Sequence, residues 1–206
     1  MKILVIMGSP RNGNTWKASH RIEEYMKSRG PVEFEYLMLK DADISPCTGC
    51  FVCFFRGEEH CPNRDDAPGI EQNMHDADGV IFASPVYGMN VSGLMKVFID
   101  RLSYIFHRPR FFDKKALLLT TAGAVGTKDV LKYLGLMARI WGFEVAARAG
   151  IVTPFEQLPP GLRRRTIKSS RRQQEPFSRP FQGEGGGLPD CTTCWSFTCN
   201  GVLLGN

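Results

Sequence analysis

Four cysteines carry the most distinctive chemistry in the chain. Cys47, Cys50, Cys53 and Cys61 stand as C-x2-C-x2-C-x7-C, with Pro62 after the last. The first gaps and the trailing Cys-Pro match the run that binds clusters in bacterial ferredoxins. Three thiolates at two-residue gaps can wrap one face of a cubane, while a fourth arrives from a longer loop. A 4Fe-4S cluster is the natural occupant. Zinc on the same four thiolates, or on three with His60, is the second reading, and a set of free thiols is the third. Cys191, Cys194 and Cys199 add only three thiolates around one C-x2-C pair, a weak metal signal.

A second constellation lies near the N-terminus. Gly8-Ser9-Pro10-Arg11-Asn12-Gly13-Asn14-Thr15 is rich in turn formers, small residues and hydroxyls. It follows an apolar run and precedes a helical pattern. Backbone N–H groups at a helix start, with the hydroxyls of Ser9 and Thr15 and the charge of Arg11, suit a terminal phosphate. The stretch lacks both G-x-G-x-x-G and the closing Gly-Lys-Ser/Thr of a nucleoside triphosphatase, so dinucleotide cradling and triphosphate hydrolysis are excluded here.

Two further stretches could wall a flat ligand. Pro85-Val86-Tyr87-Gly88 stiffens a strand exit at Pro85, and Gly88 lets backbone approach a ring closely. Tyr87 would pack on such a ring or serve as a core aromatic. Thr120, Thr121, Ala122 and Gly123 offer small side chains at another exit. His20, His60, His75 and His107 are scattered and form no triad pattern. Asp65-Asp66, just before Pro68, reads as a helix cap.

These stretches need elements to position them. The run from Lys2 to Met7 is apolar throughout, as in a strand buried on both faces of a parallel sheet. Further strands are expected over 32–39, 79–84, 115–121 and 143–152. Helices are expected over 15–29, after Asp65-Asp66 with Ile70, Met74 and Ala77 on one face, after a Ser92 cap with Leu94, Phe98, Leu102 and Ile105 in a stripe, and over 128–141 up to Gly142. Residues 41–64 form a long cysteine-bearing loop. Alternating strands and helices imply right-handed crossovers. The expected fold is α/β, a flavodoxin-like three-layer sandwich with a five-stranded parallel sheet in the order 2-1-3-4-5. Its ligands sit at the carboxyl ends of the strands, beside the turns after Met7, Ser84 and Thr121.

Of 206 residues, 43% are hydrophobic and 23% charged, and the net charge is +5. Up to residue 160 there are 19 Lys and Arg against 18 Asp and Glu, and beyond it 7 against 3. Most of the excess therefore lies in 161–206, which reads as a basic, Gly/Pro-rich tail, extended or disordered, after a domain spanning 1–160. The basic run lacks interleaved stacking aromatics, so nucleic acid is not expected as a partner. No apolar run is long enough to span a membrane, and no signal-peptide pattern is present. A cytoplasmic protein is expected, in which cysteines serve as thiols or metal ligands.

The stretch GSPRNGNT resembles the phosphate loop of the NAD(P)H-dependent FMN reductase and iron–sulfur flavoprotein group. SPVYGMNVSGLMKVFIDR, from Ser84 to Arg101, is similar to that group's second signature. The resemblance covers about residues 1–152. It implies that Ser9, Arg11, Asn14 and Thr15 hold the phosphate of FMN, and that Pro85, Val86, Tyr87 and Gly88 line the isoalloxazine ring. Thr121, Ala122 and Gly123 are then the third wall. Backbone N–H groups from Val86 to Gly88 would steady the reduced ring. The expected activity is NAD(P)H-dependent reduction of a quinone, a flavin or another small acceptor, with NAD(P)H binding transiently and no side chain acting as acid or base. The cysteine loop resembles that of the iron–sulfur flavoproteins, which implies a 4Fe-4S cluster and a ferredoxin-type donor. A homodimer or homotetramer is also implied. The alternative of another class is a zinc-stabilised binding module without catalysis.

Overall fold

The structure is a computed structural model, and it describes residues 1–153. Five strands form one sheet: β1 (Lys2–Met7), β2 (Glu33–Met38), β3 (Gly79–Pro85), β4 (Lys115–Ala122) and β5 (Glu144–Val152). Every pairing is parallel, and the order is β2-β1-β3-β4-β5. The expected topology is therefore the observed one. The proposed tail at 161–206 and its three cysteines lie outside the described residues.

The two-sided apolar strands explain the layers. Ile3, Val5 and Met7 of β1 face one side with Ile81, Ala83, Leu117 and Leu119. Leu4 and Ile6 face the other with Val80, Phe82, Ala116 and Leu118. On the first side the sheet packs against α1 (Asn14–Lys27) through Ala18 and Met26. On the second it packs against α3 (Ala67–Asp76), α4 (Gly93–Arg101) and α5 (Thr127–Ile140). Trp141, Phe98 and Phe82 meet edge-on in that larger core. The short α2 (Val52–Phe55) belongs to the cysteine loop.

The apolar stripe read after Ser92 is present, but it does not lie on one helix. The α-helix ends at Arg101, and a 3-10 turn over Ser103–Phe106 carries Ile105 inward. Side-chain periodicity alone does not separate the two helix types over so short a span.

Ser92 does cap α4, accepting from the Met95 N–H at 3.2 Å. It also donates to the Gly8 carbonyl at 2.6 Å, and its own N–H donates to Ser84 Oγ at 3.0 Å. One serine thereby fixes the ends of β1 and β3 against the start of α4. Such closeness leaves no room at Gly8, where a Cβ would lie 2.9 Å from Ser92 Oγ and 3.0 Å from Met95 Cβ. Gly8→Ala is expected to lower unfolding stability in urea by about 1–3 kcal/mol, the usual cost of overpacking. An unchanged denaturation midpoint would contradict this packing.

Candidate functional site

Loops from four strand ends meet over the carboxyl edge of the sheet and enclose a cleft of about 530 Å³. The β1 exit supplies Ser9, Arg11, Asn12, Gly13, Asn14, Thr15 and Lys17. Pro85, Val86 and Tyr87 come from β3, Thr121, Ala122 and Gly123 from β4, and Thr153 from β5. Ten of the eleven residues expected to bind FMN thus share one cavity. Asn12, Gly13, Lys17 and Thr153 were not anticipated. The strand-exit rule contained the signal for Thr153, since a ligand at the carboxyl edge also meets the end of the fifth strand.

The phosphate end is built around α1. Its N-cap is Gly13, which offers no side-chain acceptor, and no acidic residue occupies the first turn. The leading N–H groups of a 14-residue helix are left uncapped, with the positive end of its dipole toward the cleft. Arg11 and Lys17 line the same end, and no carboxylate among the described residues lines the cleft. Ser9, 3% exposed, donates to the Arg11 carbonyl at 2.7 Å and so fixes the turn. Asn14 Nδ2 donates to Thr153 Oγ1 at 2.6 Å, which binds the fifth strand end to the loop. Beneath them the buried hydroxyls of Thr15 and Thr121 lie 2.7 Å apart. The donors, the two cations and the absence of lining acids fit a dianionic monoester.

Pro85, Val86 and Tyr87 form the opposite wall. Tyr87 is 43% exposed and stands at the rim, so the core-aromatic reading fails. Gly88 does not line the cleft. It sits in a tight turn closed by reciprocal Tyr87–Asn90 backbone bonds of 2.9 and 3.0 Å, with Gly88 at φ 54° and Met89 at φ 66°. Two positive φ values in succession make a turn of the primed type, and that demand explains the glycine. The expected N–H donors at Val86 and Tyr87 are also committed elsewhere, to the carbonyls of Thr121 and Asn90.

The cysteine loop is a separate construction. Cys47 and Cys50 are exposed, and Cys53 and Cys61 are half-buried free thiols. Among the described residues no group of three or more His, Cys, Asp or Glu side chains is arranged to hold a metal ion. The four thiols lie in one loop, and the other three are felt electrostatically at Cys53. Burial and then the charges of Cys61, Cys47 and Cys50 push the Cys53 thiol up. The Val52 N–H, aided by the Thr48 hydroxyl, holds the Cys50 thiol below its ordinary value. An N–H donor on the Cys50 sulfur and four thiols in one loop are the donor chemistry of a thiolate-bound centre.

Asp65-Asp66 is more than a cap. Asp66 makes no side-chain cap bond, and its carboxylate accepts from the Asp43 N–H at 2.8 Å. Asp65 does accept from Ala67 N–H at 3.2 Å, in the first turn of α3. Its main partner is Arg101, which donates from Nε and Nη2 at 2.8 Å each. Nearby, buried Glu71 accepts from Tyr104 Oη at 2.5 Å and Arg110 Nη1 at 2.7 Å, and Arg110 also bonds Glu58 of the cysteine loop.

The sequence profile of the NADPH-dependent FMN reductase family matches residues 1–154. The chain belongs to that family. It is accordingly a flavodoxin-like FMN oxidoreductase. An iron–sulfur flavoprotein of Archaeoglobus fulgidus is 30% identical over 186 residues, covering 89% of this chain and 82% of the relative. That match is longer than the described domain, so it extends past residue 153. An iron–sulfur flavoprotein of Clostridioides difficile is 34% identical over 162 residues, covering 77% and 71%. The NAD(P)H:quinone oxidoreductase of Methanothermobacter marburgensis shares the fold at a TM-score of 0.61 and 18% identity, covering 84% of this chain and 94% of that one. No helix among the described residues is long and apolar enough to cross a membrane.

The Asp65 side chain is 1% exposed. Burial alone would raise its pKa, but the Arg101 guanidinium and the Ser45 and Ala67 N–H groups outweigh it and hold the carboxyl below its usual range. A depressed folded-state value gives stability that is complete above the ordinary carboxyl range, about pH 4, and is lost as pH falls through the folded value. Asp65→Asn is expected to cost about 3–5 kcal/mol at neutral pH, because Arg101 is left buried and unpaired. Its further loss on acidification should be shallower than in the wild type. Parallel acid limbs for the two proteins would contradict the pairing.

Proposed function

We propose that the cleft seats FMN with its phosphate at the start of α1 and its ring between the β3 and β4 exits, and that the protein passes electrons from NAD(P)H to a small acceptor such as a quinone or a second flavin. The supporting observation is the uncapped, acid-free N-terminus of α1 at the switch between β1 and β3. FMN, when bound, supplies the hydride and single-electron chemistry. Arg11 and Lys17 neutralise the phosphate, and the α1 N–H groups fix its position. Thr15 and Thr121 present hydroxyls from the floor of the cleft. Pro85 and Val86 give an apolar wall, and Tyr87 stands at the open edge where a second reactant enters. Among the described residues no carboxylate or imidazole lines the cleft, and hydride transfer requires neither.

The cysteine loop favours a second redox centre in the same protein. The C-x2-C-x2-C spacing with Cys61-Pro62, and the charges of the other three thiols felt at Cys53, favour a 4Fe-4S cluster over isolated free thiols. With such a centre the electrons can also move one at a time, to or from a ferredoxin-type partner.

Anaerobic purification tests both readings. Flavin bands in the near-ultraviolet and blue, bleached by NAD(P)H, are expected, with a broad brown shoulder from a cluster. A colourless protein that takes up no FMN would sink the first reading, and a yellow protein without iron or sulfide would sink the second. Thr15→Val removes one hydroxyl and orphans another. FMN affinity by fluorescence titration should fall about five- to ten-fold, the worth of about one hydrogen bond. Unchanged affinity would move the phosphate elsewhere.

A further inference from the structure

The residues between Ser45 and Asp65 leave the domain and return, and the two ends of this excursion are laced together. Asp43 N–H donates to Asp66 at 2.8 Å, and Asp66 N–H donates to the Asp43 carbonyl at 2.9 Å. Ser45 N–H donates to Asp65 Oδ2, and Asn63 Nδ2 to the Pro46 carbonyl, each at 3.1 Å. Asp65 is the hub of this neck, since it accepts from Ser45, Ala67 and both forks of Arg101. Arg101 lies at the end of α4 and is 5% exposed, so the neck is bolted to the main core. A second bolt joins Glu58 to Arg110 and, through it, to Glu71.

We propose that Arg101 is a positioning residue for the cysteine loop: its fork on Asp65 closes the neck and holds the two ends of the loop together before any metal or cluster is loaded. The inference rests on the thiolate-centre reading of the loop for its purpose, but the closed neck stands on geometry alone. Two details give Arg101 a role beyond support. Its fork uses Nε and Nη2 and leaves Nη1 outside it. Its charge also lies within electrostatic reach of the thiols of Cys47, Cys50 and Cys61. Four thiolates around a metal or cluster carry excess negative charge, and a buried guanidinium offsets part of it. Lysine would keep the charge but lose the planar fork.

The test uses the full chain after chelator treatment, read by amide hydrogen exchange over residues 43–66. Three proteins are compared: wild type, Arg101→Lys, and the double variant Asp65→Asn with Arg101→Met. The double variant removes both buried charges and so avoids an unpaired ion that could prevent folding. Slow exchange at Ser45, Cys61 and Asp66 is expected in the metal-free wild type. Both variants should exchange there about ten-fold faster or more, with β3 and β4 amides unchanged. Co2+ titration, read by thiolate charge-transfer absorption, should show about ten-fold weaker binding in both variants, because an unset loop must be ordered on loading. A merely structural role would lower thermal stability without moving Co2+ affinity. An unprotected neck in the wild type, full protection in Arg101→Lys, or equal Co2+ affinity in all three would overturn the proposal. A wild-type chain that shows a protected neck but takes up no Co2+ would instead overturn the thiolate-centre reading.

Discussion

Two buried hydroxyls, those of Thr15 and Thr121, lie 2.7 Å apart where the start of α1 meets the end of β4. Their contact holds because α1 crosses the same sheet face that β3 and β4 present, through Ala18, Ala83 and Leu119. In a doubly wound sheet the crossovers leave β1 and β3 in opposite directions, so a gap opens over their carboxyl ends. The hydroxyl pair sets the floor of that gap. Ser92 sets one side by drawing Gly8, Ser84 and Met95 together. Asn14 and Thr153 set another. The cleft is therefore a by-product of packing that the sheet needs anyway, and its chemistry comes from what the loops omit. Among the described residues, a helix start without a side-chain cap and a lining without carboxylates leave positive potential uncompensated.

The cysteine loop obeys a different logic. It contributes little to the sheet's two cores beyond Ala42, Ile44 and Cys53. Its hold on the domain is ionic, through Asp65 with Arg101 and Glu58 with Arg110. Buried ion pairs give little net stability but fix geometry closely, since every donor must meet its acceptor. That trade suits a loop whose task is to present sulfurs at set positions. Cleft and loop are thus two constructions on one scaffold, one made by hydroxyls and amides, the other by charge pairs.

Much of this was legible in the sequence. Lys2–Met7 is apolar on both faces, and only a strand between two layers is built that way, so the sheet and its order followed from the alternation of such runs with helical spacing. Ten of the fourteen residues that line the cleft followed from the strand-exit rule and the resemblance. The rest needed coordinates. Gly88 read as a place of close approach, but its role is a tight turn, and a lone glycine in sequence does not distinguish the two. Val86 and Tyr87 were expected to donate N–H groups that the structure commits to Thr121 and Asn90, because local sequence does not reveal backbone partners across a loop. Asp65 pairs with Arg101, 36 positions away. Local sequence shows only the helix that follows it. The stripe after Ser92 ran through a 3-10 turn because Leu102 and Ile105 keep inward spacing in either geometry.

The central claim is that one end of the cleft recognises a phosphate dianion. Equilibrium binding of FMN and of riboflavin to the flavin-free protein tests it most directly, because the two ligands share the ring and differ only in that group. Two charge-assisted contacts are worth about 1.5–3 kcal/mol each, so FMN should bind about 100-fold tighter or better, with the gap narrowing as salt is raised. Equal affinities for the two flavins, at any ionic strength, would contradict the account.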